Sequence, residues 1–106
     1  MPLDLNMISE CIRTGRYSIT AHGYEELDND NITIEKLEIA VGSDEPEIIE
    51  DYPDDPRGAS CLILGWCKPD LPIHVCIGIS NNEPEVITAY RPSPIKFRSP
   101  EFRKRR

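Results

Sequence analysis

The sequence predicts one α+β domain, with N-terminal helices packed on one face of a curved four-stranded antiparallel sheet. Its 106 residues are 39% hydrophobic, which is enough for a single core at this length. Helical spacing of apolar residues ends near Gly42, and nine of the ten prolines lie from Pro46 onward, where they disfavour long helices. Short, turn-rich separators divide this second part into extended segments, as expected for antiparallel hairpins.

Three helices are predicted in the first part of the chain. They span Asp4–Thr14, Ala21 to the break at Asp28–Asn31, and Thr33–Gly42, with the short extended segment Tyr17–Thr20 between the first two. Thr20 and Thr33 can cap the second and third helices. The residues that helical spacing places on an apolar face are Tyr24 and Leu27 in the second helix and Ile34, Leu37 and Val41 in the third.

Four strands are predicted at Glu47–Tyr52, Cys61–Lys68, Ile73–Ser80 and Glu85–Arg91. Successive side chains of a strand point to opposite faces of the sheet. The side chains that this alternation directs toward the helices are Ile73, Val75, Ile77, Ile79, Ile87 and Ala89. It places His74, Thr88 and Tyr90 on the opposite face, either open to solvent or under the C-terminal tail.

Charge is divided unevenly along the chain. Residues 1–90 contain 5 Lys or Arg and 18 Asp or Glu, a balance of −13, whereas residues 91–106 contain 7 and 1, a balance of +6. The acidic body disfavours sequence-independent binding along a duplex, which needs many phosphate contacts. The basic tail, residues 96–106 of the single domain 1–106, can contact phosphate or an acidic partner, or be a solvated end.

The sequence also allows predictions of the cellular compartment and of whether a metal is bound. No apolar run approaches the ~18 residues that a membrane span needs, and the first residues lack the features of a secretory signal. We therefore expect a cytoplasmic protein without membrane contact, with its four cysteines reduced. No C-x-x-C pair occurs, so no cofactor or metal is expected. The alternative is a zinc site of Cys61, Cys67, His74 and Cys76, whose spacing is not diagnostic.

His22 and His74 are the only histidines, and they are the first candidates for proton transfer near neutral pH. If they meet, they can act as general base and general acid in transesterification through an RNA 2′-hydroxyl, a reaction that needs no metal. Arg57 or Arg91 would bind the substrate and stabilise the phosphorane. Tyr90 would donate a proton or stack on a base.

Structural roles stay open for the same residues. His22 can fill the junction between a strand and a helix. His74 can be a buried histidine bonded to Tyr90 or to a backbone carbonyl, because a buried polar group needs a partner. Glu25 or Glu26, one turn after His22, can orient its imidazole or lie on a solvated helix face, and both arginines can lie on the surface.

Several short motifs together resemble those of one family. They are the segments Tyr17–Leu27, Ile32, Leu62–Gly65, Pro72–Val75 and Val86–Pro92. In order and spacing they resemble a group of short bacterial proteins known only as the domain of unknown function numbered four-two-five-eight, over residues 5 to 103. That group is similar in architecture to the RelE, BrnT and MqsR toxins.

The resemblance implies a RelE-like fold and a toxin that cleaves mRNA. It also implies a small antitoxin partner, which in such pairs often carries a zinc finger and a helix-turn-helix. The family motif Y-x-x-T-x-H falls on Tyr17–His22, the strand histidine on His74, and I-T-x-Y on Ile87–Tyr90, with Thr88 in a substrate-binding position. The family often has basic residues where this chain has Glu26 and Asp30, and acidic side chains there would repel RNA.

The leading hypothesis is a metal-independent endoribonuclease, the toxin of a type II toxin–antitoxin pair, with RNA as substrate and an antitoxin as partner. The alternative from another class is a non-enzymatic interaction module that binds the product of an adjacent gene. A small metal-binding protein is the third hypothesis.

Overall fold

The computed structural model describes residues 4–43, 45–56, 58–69 and 71–92. The first part contains α1 (Leu5–Arg13), the short strand β1 (Ser18–Ile19), α2 (Ala21–Asn29) and α3 (Ile34–Gly42). The second part contains β2 (Glu47–Tyr52), β3 (Ser60–Lys68), β4 (Leu71–Ser80) and β5 (Glu83–Tyr90). The chain therefore has the α+β composition that the sequence predicts.

The predicted four-stranded antiparallel sheet is wrong. The sheet has five strands in the order β1-β5-β4-β3-β2, and it is mixed, because β1 pairs in parallel with β5. Ser18 lies opposite Glu85, and Ile19 lies opposite Val86. Two residues are too few to show an alternating pattern, and their partner is the last strand of the chain, so no local signal predicts this pairing.

Polar caps set the starts of the three helices. The side chains of Asp4, Thr20 and Thr33 each accept a hydrogen bond from the backbone N–H two or three residues further on. These bonds satisfy donors that the first helical turn leaves unpaired. Each helix has nine residues, about 13 Å, so none in the described part of the chain could cross the ~30 Å core of a bilayer.

The principal core lies between the helices and one face of the sheet. It is formed by fourteen buried side chains, among them Ile8, Ile12, Leu37, Ile63 and Val75. Helix α3 lies directly on β3 because Gly65 has no side chain: a Cβ there would lie 2.3 Å from the carbonyl oxygen of Ala40. Burial of each large aliphatic side chain contributes roughly 1.5–3 kcal/mol, so this layer dominates the stability of the fold.

A β-bulge changes which side chains of β5 face the core. Val86 lies opposite Ile77 and Thr88 lies opposite the preceding residue of β4, which leaves Ile87 without a partner. Val86 and Ala89 are therefore both in the core. The side chain of Ile87 instead lies over Gly78, on the other side of the sheet. The prediction for Ala89 is confirmed, and that for Ile87 is wrong.

Strand β3 is buried on both faces. Ile63 points toward the helices, so alternation directs Leu62 and Leu64 to the opposite side of the sheet, where their exposed fractions are 0% and 1%. His74 lies opposite Leu64, on the same side. We call this side of the sheet the second face; its members are Leu62, Leu64, His74, Cys76 and Tyr90.

Candidate functional site along helix α2 and strand β5

Hydrogen bonds join helix α2 to strand β5 at both ends of the helix. At the start, the backbone N–H of Thr20 donates to the carbonyl oxygen of Val86 at 3.0 Å, and its Oγ1 donates to that of Ile87 at 3.1 Å. At the end, the backbone N–H of Arg91 donates to Oδ2 of Asp30 at 2.7 Å. The helix rises about 15 Å and the strand about 16 Å between these points, so the two elements run side by side in the same direction.

Gly23 permits the close contact at the start of α2. A Cβ at this position would lie 2.9 Å from the carbonyl oxygen of Val86 and 2.9 Å from Cγ2 of Ile19. The backbone of the first helical turn therefore lies directly against β1 and β5. His22 immediately precedes Gly23, in the same first turn of α2.

His22 is accessible to solvent. Its side chain is 62% exposed, and its Nε2 lies 3.6 Å from Oε1 of Glu26, one turn further along α2. A contact this exposed contributes little to stability. The imidazole of His22 is accessible to a bound molecule, with the carboxylate of Glu26 beside it.

His74 is enclosed in the structure. It is 0% exposed, and its ring meets the ring of Tyr90 edge-on, with centroids 5.3 Å apart and planes at 70°. Its Nδ1 lies 3.4 Å from the hydroxyl oxygen of Tyr90. This arrangement matches the alternative in which His74 is a buried structural histidine beside Tyr90. In this arrangement no substrate can touch the ring.

The structure does not bring the two histidines together. Thr20, two residues before His22, bonds to Ile87, whereas His74 lies opposite Tyr90, three residues further along β5. Three strand residues span about 10 Å. In addition, His74 belongs to the second face, whereas His22 lies on the outer surface of a helix. One phosphate group therefore cannot contact both rings in this conformation.

The charged side chains that follow His22 along α2 are acidic. Glu26 contacts it, and Asp30 lies one further turn along, at the end of the helix. The described candidate cation is Arg91, whose side chain is exposed at the end of β5 beside Asp30. Thr88 is half-buried, opposite Cys76. The other candidate cation, Arg57, and the basic tail 96–106 lie outside the described residues.

The four proposed zinc ligands lie on two sides of the sheet. Cys61 belongs to the helix-facing core, and Sγ of Cys67 lies 3.4 Å from the carbonyl oxygen of Lys36 in α3. His74 and Cys76 belong to the second face, so one ion cannot reach all four. Burial raises the pKa of Cys61 to about 12 and also raises the pKa of Cys67, which disfavours the thiolate that metal binding requires.

Sequence reasoning missed a group of exposed apolar side chains on α2 and α3. It placed Tyr24 beside Leu27 and Ile34 beside Leu37, yet Leu27 and Leu37 are buried whereas Tyr24 and Ile34 are 56% and 41% exposed. Ile39, also on α3, is 45% exposed. The available signal was that α3 has apolar residues around more of its circumference than one buried stripe requires.

Comparison with known proteins gives a family without an assigned activity. No curated protein and no solved structure has a detectable match to this chain. A family model described as a domain of unknown function, DUF4258, matches residues 19–91. The matched region is more than half of the chain and runs from β1 through β5, including both histidines. The chain therefore belongs to the family described as domain of unknown function (DUF4258).

Proposed function

We propose that the chain is a protein-interaction module that binds a partner protein through the outer side of α2 and α3. The observation that carries this proposal is that Tyr24 and Ile34, which are 56% and 41% exposed, line one groove. They are two of the five large hydrophobic side chains exposed within the described ranges. Single exposed hydrophobic residues are ordinary, whereas a cluster rimmed by polar groups is typical of an interaction site.

Tyr24 and Ile34 form one surface, which we call the apolar patch. They line a shallow groove between α2 and α3, beside the nearly buried Leu27 and Ile32. A partner side chain that enters the groove would therefore contact both helices. Ile39 lies about 140° around α3 from Ile34 and is not part of the patch.

The rim of the apolar patch is mainly acidic. Asp28 lines the groove with Tyr24, and Glu35 follows Ile34 on α3. No lysine or arginine is among the described residues that line the groove. Complementary charge favours encounter and fixes orientation at an interface. The partner that fits is a protein segment with an apolar anchor among lysines or arginines.

The partner that we propose is the small protein encoded beside this gene, in the antitoxin role that the family resemblance implies. A nucleic-acid-binding antitoxin with a helix-turn-helix would be rich in basic side chains, which suits the acidic rim. The interaction does not require a reactive site on this chain. It is therefore compatible with the enclosed His74 and with the acidic neighbours of His22.

Calorimetric titration of the adjacent-gene product into variants of this chain tests the proposal. The double variant Tyr24→Ser/Ile34→Ser is expected to bind about 30-fold more weakly, as truncation of an interface anchor typically costs ~2 kcal/mol. Ile79→Ser is the matched control, since Ile79 is also 39% exposed but lies near the end of β4. Equal affinities for all three proteins, or no binding by the wild type, would contradict the proposal.

A metal-independent endoribonuclease is the second candidate, and the exposure of His22 favours it. In this candidate His22 removes the 2′-hydroxyl proton while Glu26 orients its ring, and the oxygen attacks phosphorus. The leaving 5′-oxygen takes its proton from solvent in this candidate, because Tyr90 lies beside His74 on the second face and not beside His22. The phosphorane also needs a positive charge, and Arg91 lies at the opposite end of α2 from His22. This candidate would make the chain the toxin of the pair.

Digestion of single-stranded RNA in EDTA separates the two candidates. The endoribonuclease predicts cleavage that is lost in His22→Ala while the circular dichroism spectrum is unchanged. The interaction module predicts intact RNA with the wild type and with His22→Ala alike. Cleavage that persists in His22→Ala would exclude the His22 mechanism, because it would come from another residue or a contaminant.

A further inference from the structure

Strand β2 lies at one edge of the sheet, and within the described residues it pairs with β3 alone. Apart from that pairing, the described chain gives this strand one backbone bond, from the N–H of Asp55 to the carbonyl oxygen of Tyr52 at 3.5 Å. An edge strand presents a row of backbone N–H and C=O groups on its outer side. Another extended chain can satisfy these groups by pairing as an additional strand.

Of the two edges of the sheet, β2 is the one with room for another strand. At the opposite edge, β1 consists of Ser18 and Ile19 only, and two residues offer few backbone groups. Strand β2 has six residues and is therefore about 20 Å long. It contains neither proline nor lysine, the residues that commonly protect an edge from pairing.

Acidic side chains flank the outer side of β2 on both faces of the sheet. Glu47 and Asp51 are exposed, near the two ends of the strand. Glu47 lies opposite Leu64 and so borders the second face, whereas Asp51 lies opposite Cys61 and borders the helix side. Opposite charges in neighbouring strands stabilise their pairing, and like charges destabilise it. The edge therefore favours a basic strand.

We propose that β2 is a docking edge for an extended segment of a partner protein in which lysine or arginine alternates with apolar residues. The half-buried Ile48 and Ile49 supply apolar neighbours between the two carboxylates. The register to β3 shifts between Ile48 and Glu50, and such a bulge increases the local twist, so the added strand is a short one. A second copy of β2 does not fit, because acidic side chains would lie beside each other.

The docking edge is separate from the apolar patch. Docking at β2 uses backbone groups and the carboxylates of Glu47 and Asp51, whereas the patch uses side chains of α2 and α3. Helix α2 is joined to β5, three positions away from β2 in the order of the strands. Each surface can bind without the other, so a negative result at one does not decide the other.

Peptides with methylated backbone nitrogens test strand pairing on the wild-type chain. The probe is a peptide of about eight residues in which lysine alternates with valine, and its binding is followed by NMR titration of the full chain. Two further peptides carry N-methyl groups on every lysine or on every valine. Successive N–H groups of a strand point in opposite directions, so only one of these two sets can face β2.

One methylated peptide is therefore expected to bind at least about tenfold more weakly than the unmodified peptide, and the other to bind like it. Equal affinities of all three peptides would show attraction by charge without strand pairing, and would overturn the proposal. Absence of binding by the unmodified peptide would overturn it as well. This comparison needs no protein variant, so it does not depend on the folding of one.

Reversal of charge tests which partner the edge selects. In Glu47→Lys/Asp51→Lys we expect the lysine–valine peptide to bind about tenfold more weakly, and a glutamate–valine peptide of equal length to bind in its place. Glu10→Lys/Glu83→Lys, at two exposed positions outside β2, is the matched control for net charge. Equal weakening in both double variants would overturn the selection by β2. A wild-type dimer that dissociates in Glu47→Lys/Asp51→Lys would place a second copy at the edge, and would also overturn the proposal.

Discussion

Oδ2 of Asp30 accepts a hydrogen bond from the backbone N–H of Arg91, at 2.7 Å, and so joins the end of α2 to the end of β5. The family resemblance implies a basic residue at position 30 in many relatives. In this chain the acidic residue has a structural role that a basic one could not fill, because only an acceptor can satisfy that N–H. The carboxylate of Asp30 is therefore part of the attachment of α2 to the sheet.

Replacement of Asp30 tests this attachment. Asp30→Ala is expected to lower the free energy of unfolding by about 1 kcal/mol, the usual net value of one hydrogen bond. Glu25→Ala, on the exposed side of the same helix, is expected to change it by less than ~0.5 kcal/mol. Urea unfolding measures both. Equal effects would show that the bond to Arg91 does not hold α2 in place.

Replacement of each histidine by alanine is expected to change the free energy of unfolding by a different amount. His74→Ala removes a fully buried ring and its contact with Tyr90, so we expect a loss of about 2–4 kcal/mol. His22→Ala, at 62% side-chain exposure, is expected to stay within ~0.5 kcal/mol of the wild type.

Thermal or urea unfolding of the two variants gives the comparison directly. Any loss of function in His74→Ala must be corrected for the fraction unfolded before it is attributed to chemistry. A His74→Ala protein as stable as the wild type would contradict the enclosed position of this ring.

Because the pKa of the buried Cys61 thiol is raised, we expect the protein to lose stability at alkaline pH. Burial raises its pKa to about 12 in the folded state, above the ordinary thiol value of 9.0. Below pH 9 both the folded and unfolded states keep the proton, so the full stability is present. As pH rises from 9 toward 12, only the unfolded thiol ionises, and the free energy of unfolding falls by up to ~1.4 kcal/mol per pH unit.

Cys61→Val, which keeps an apolar side chain of similar size, removes this effect. Urea unfolding at pH 8 and pH 10.5 should show a smaller decline for Cys61→Val than for the wild type. Other groups, including Tyr17, whose pKa is also raised by burial, contribute equally to both proteins and cancel in the difference. Parallel declines would contradict the folded-state pKa of Cys61.

Local features of the fold could be predicted from the sequence. The caps Thr20 and Thr33 set helix starts through bonds to their own first turns, so the signal lies within a few residues. The core-facing side of β4, with Ile73 and Val75 buried, follows from simple alternation. Signals of this kind depend only on neighbouring positions.

Features that depend on distant partners could not be predicted. The parallel pairing of β1 with β5 joins the start of the chain to its last strand. The bulge at Ile87 reverses the parity of β5 and becomes visible only once the register to β4 is known. For the same reason the sequence identified His22 and His74 as candidates but could not establish whether they meet.

The exposure of Tyr24 and Ile34 could not be predicted either, because it also depends on residues that are distant in the sequence. Helical spacing groups them with Leu27 and Leu37, but the orientation of each helix is set by its contacts with the sheet. Gly23 against β5 and Gly65 against α3 fix those contacts, and both depend on residues far apart in the chain. The candidate interaction surface therefore emerges only from the assembled fold.

Methyl NMR of the chain labelled at isoleucine tests the central claim most directly. On addition of the adjacent-gene product, the signal of Ile34 is expected to shift or broaden, while that of Ile79 stays unchanged. The two side chains are exposed to a similar degree, so the difference reports position rather than accessibility. Perturbation of Ile79 with an unchanged signal from Ile34 would contradict binding at the apolar patch.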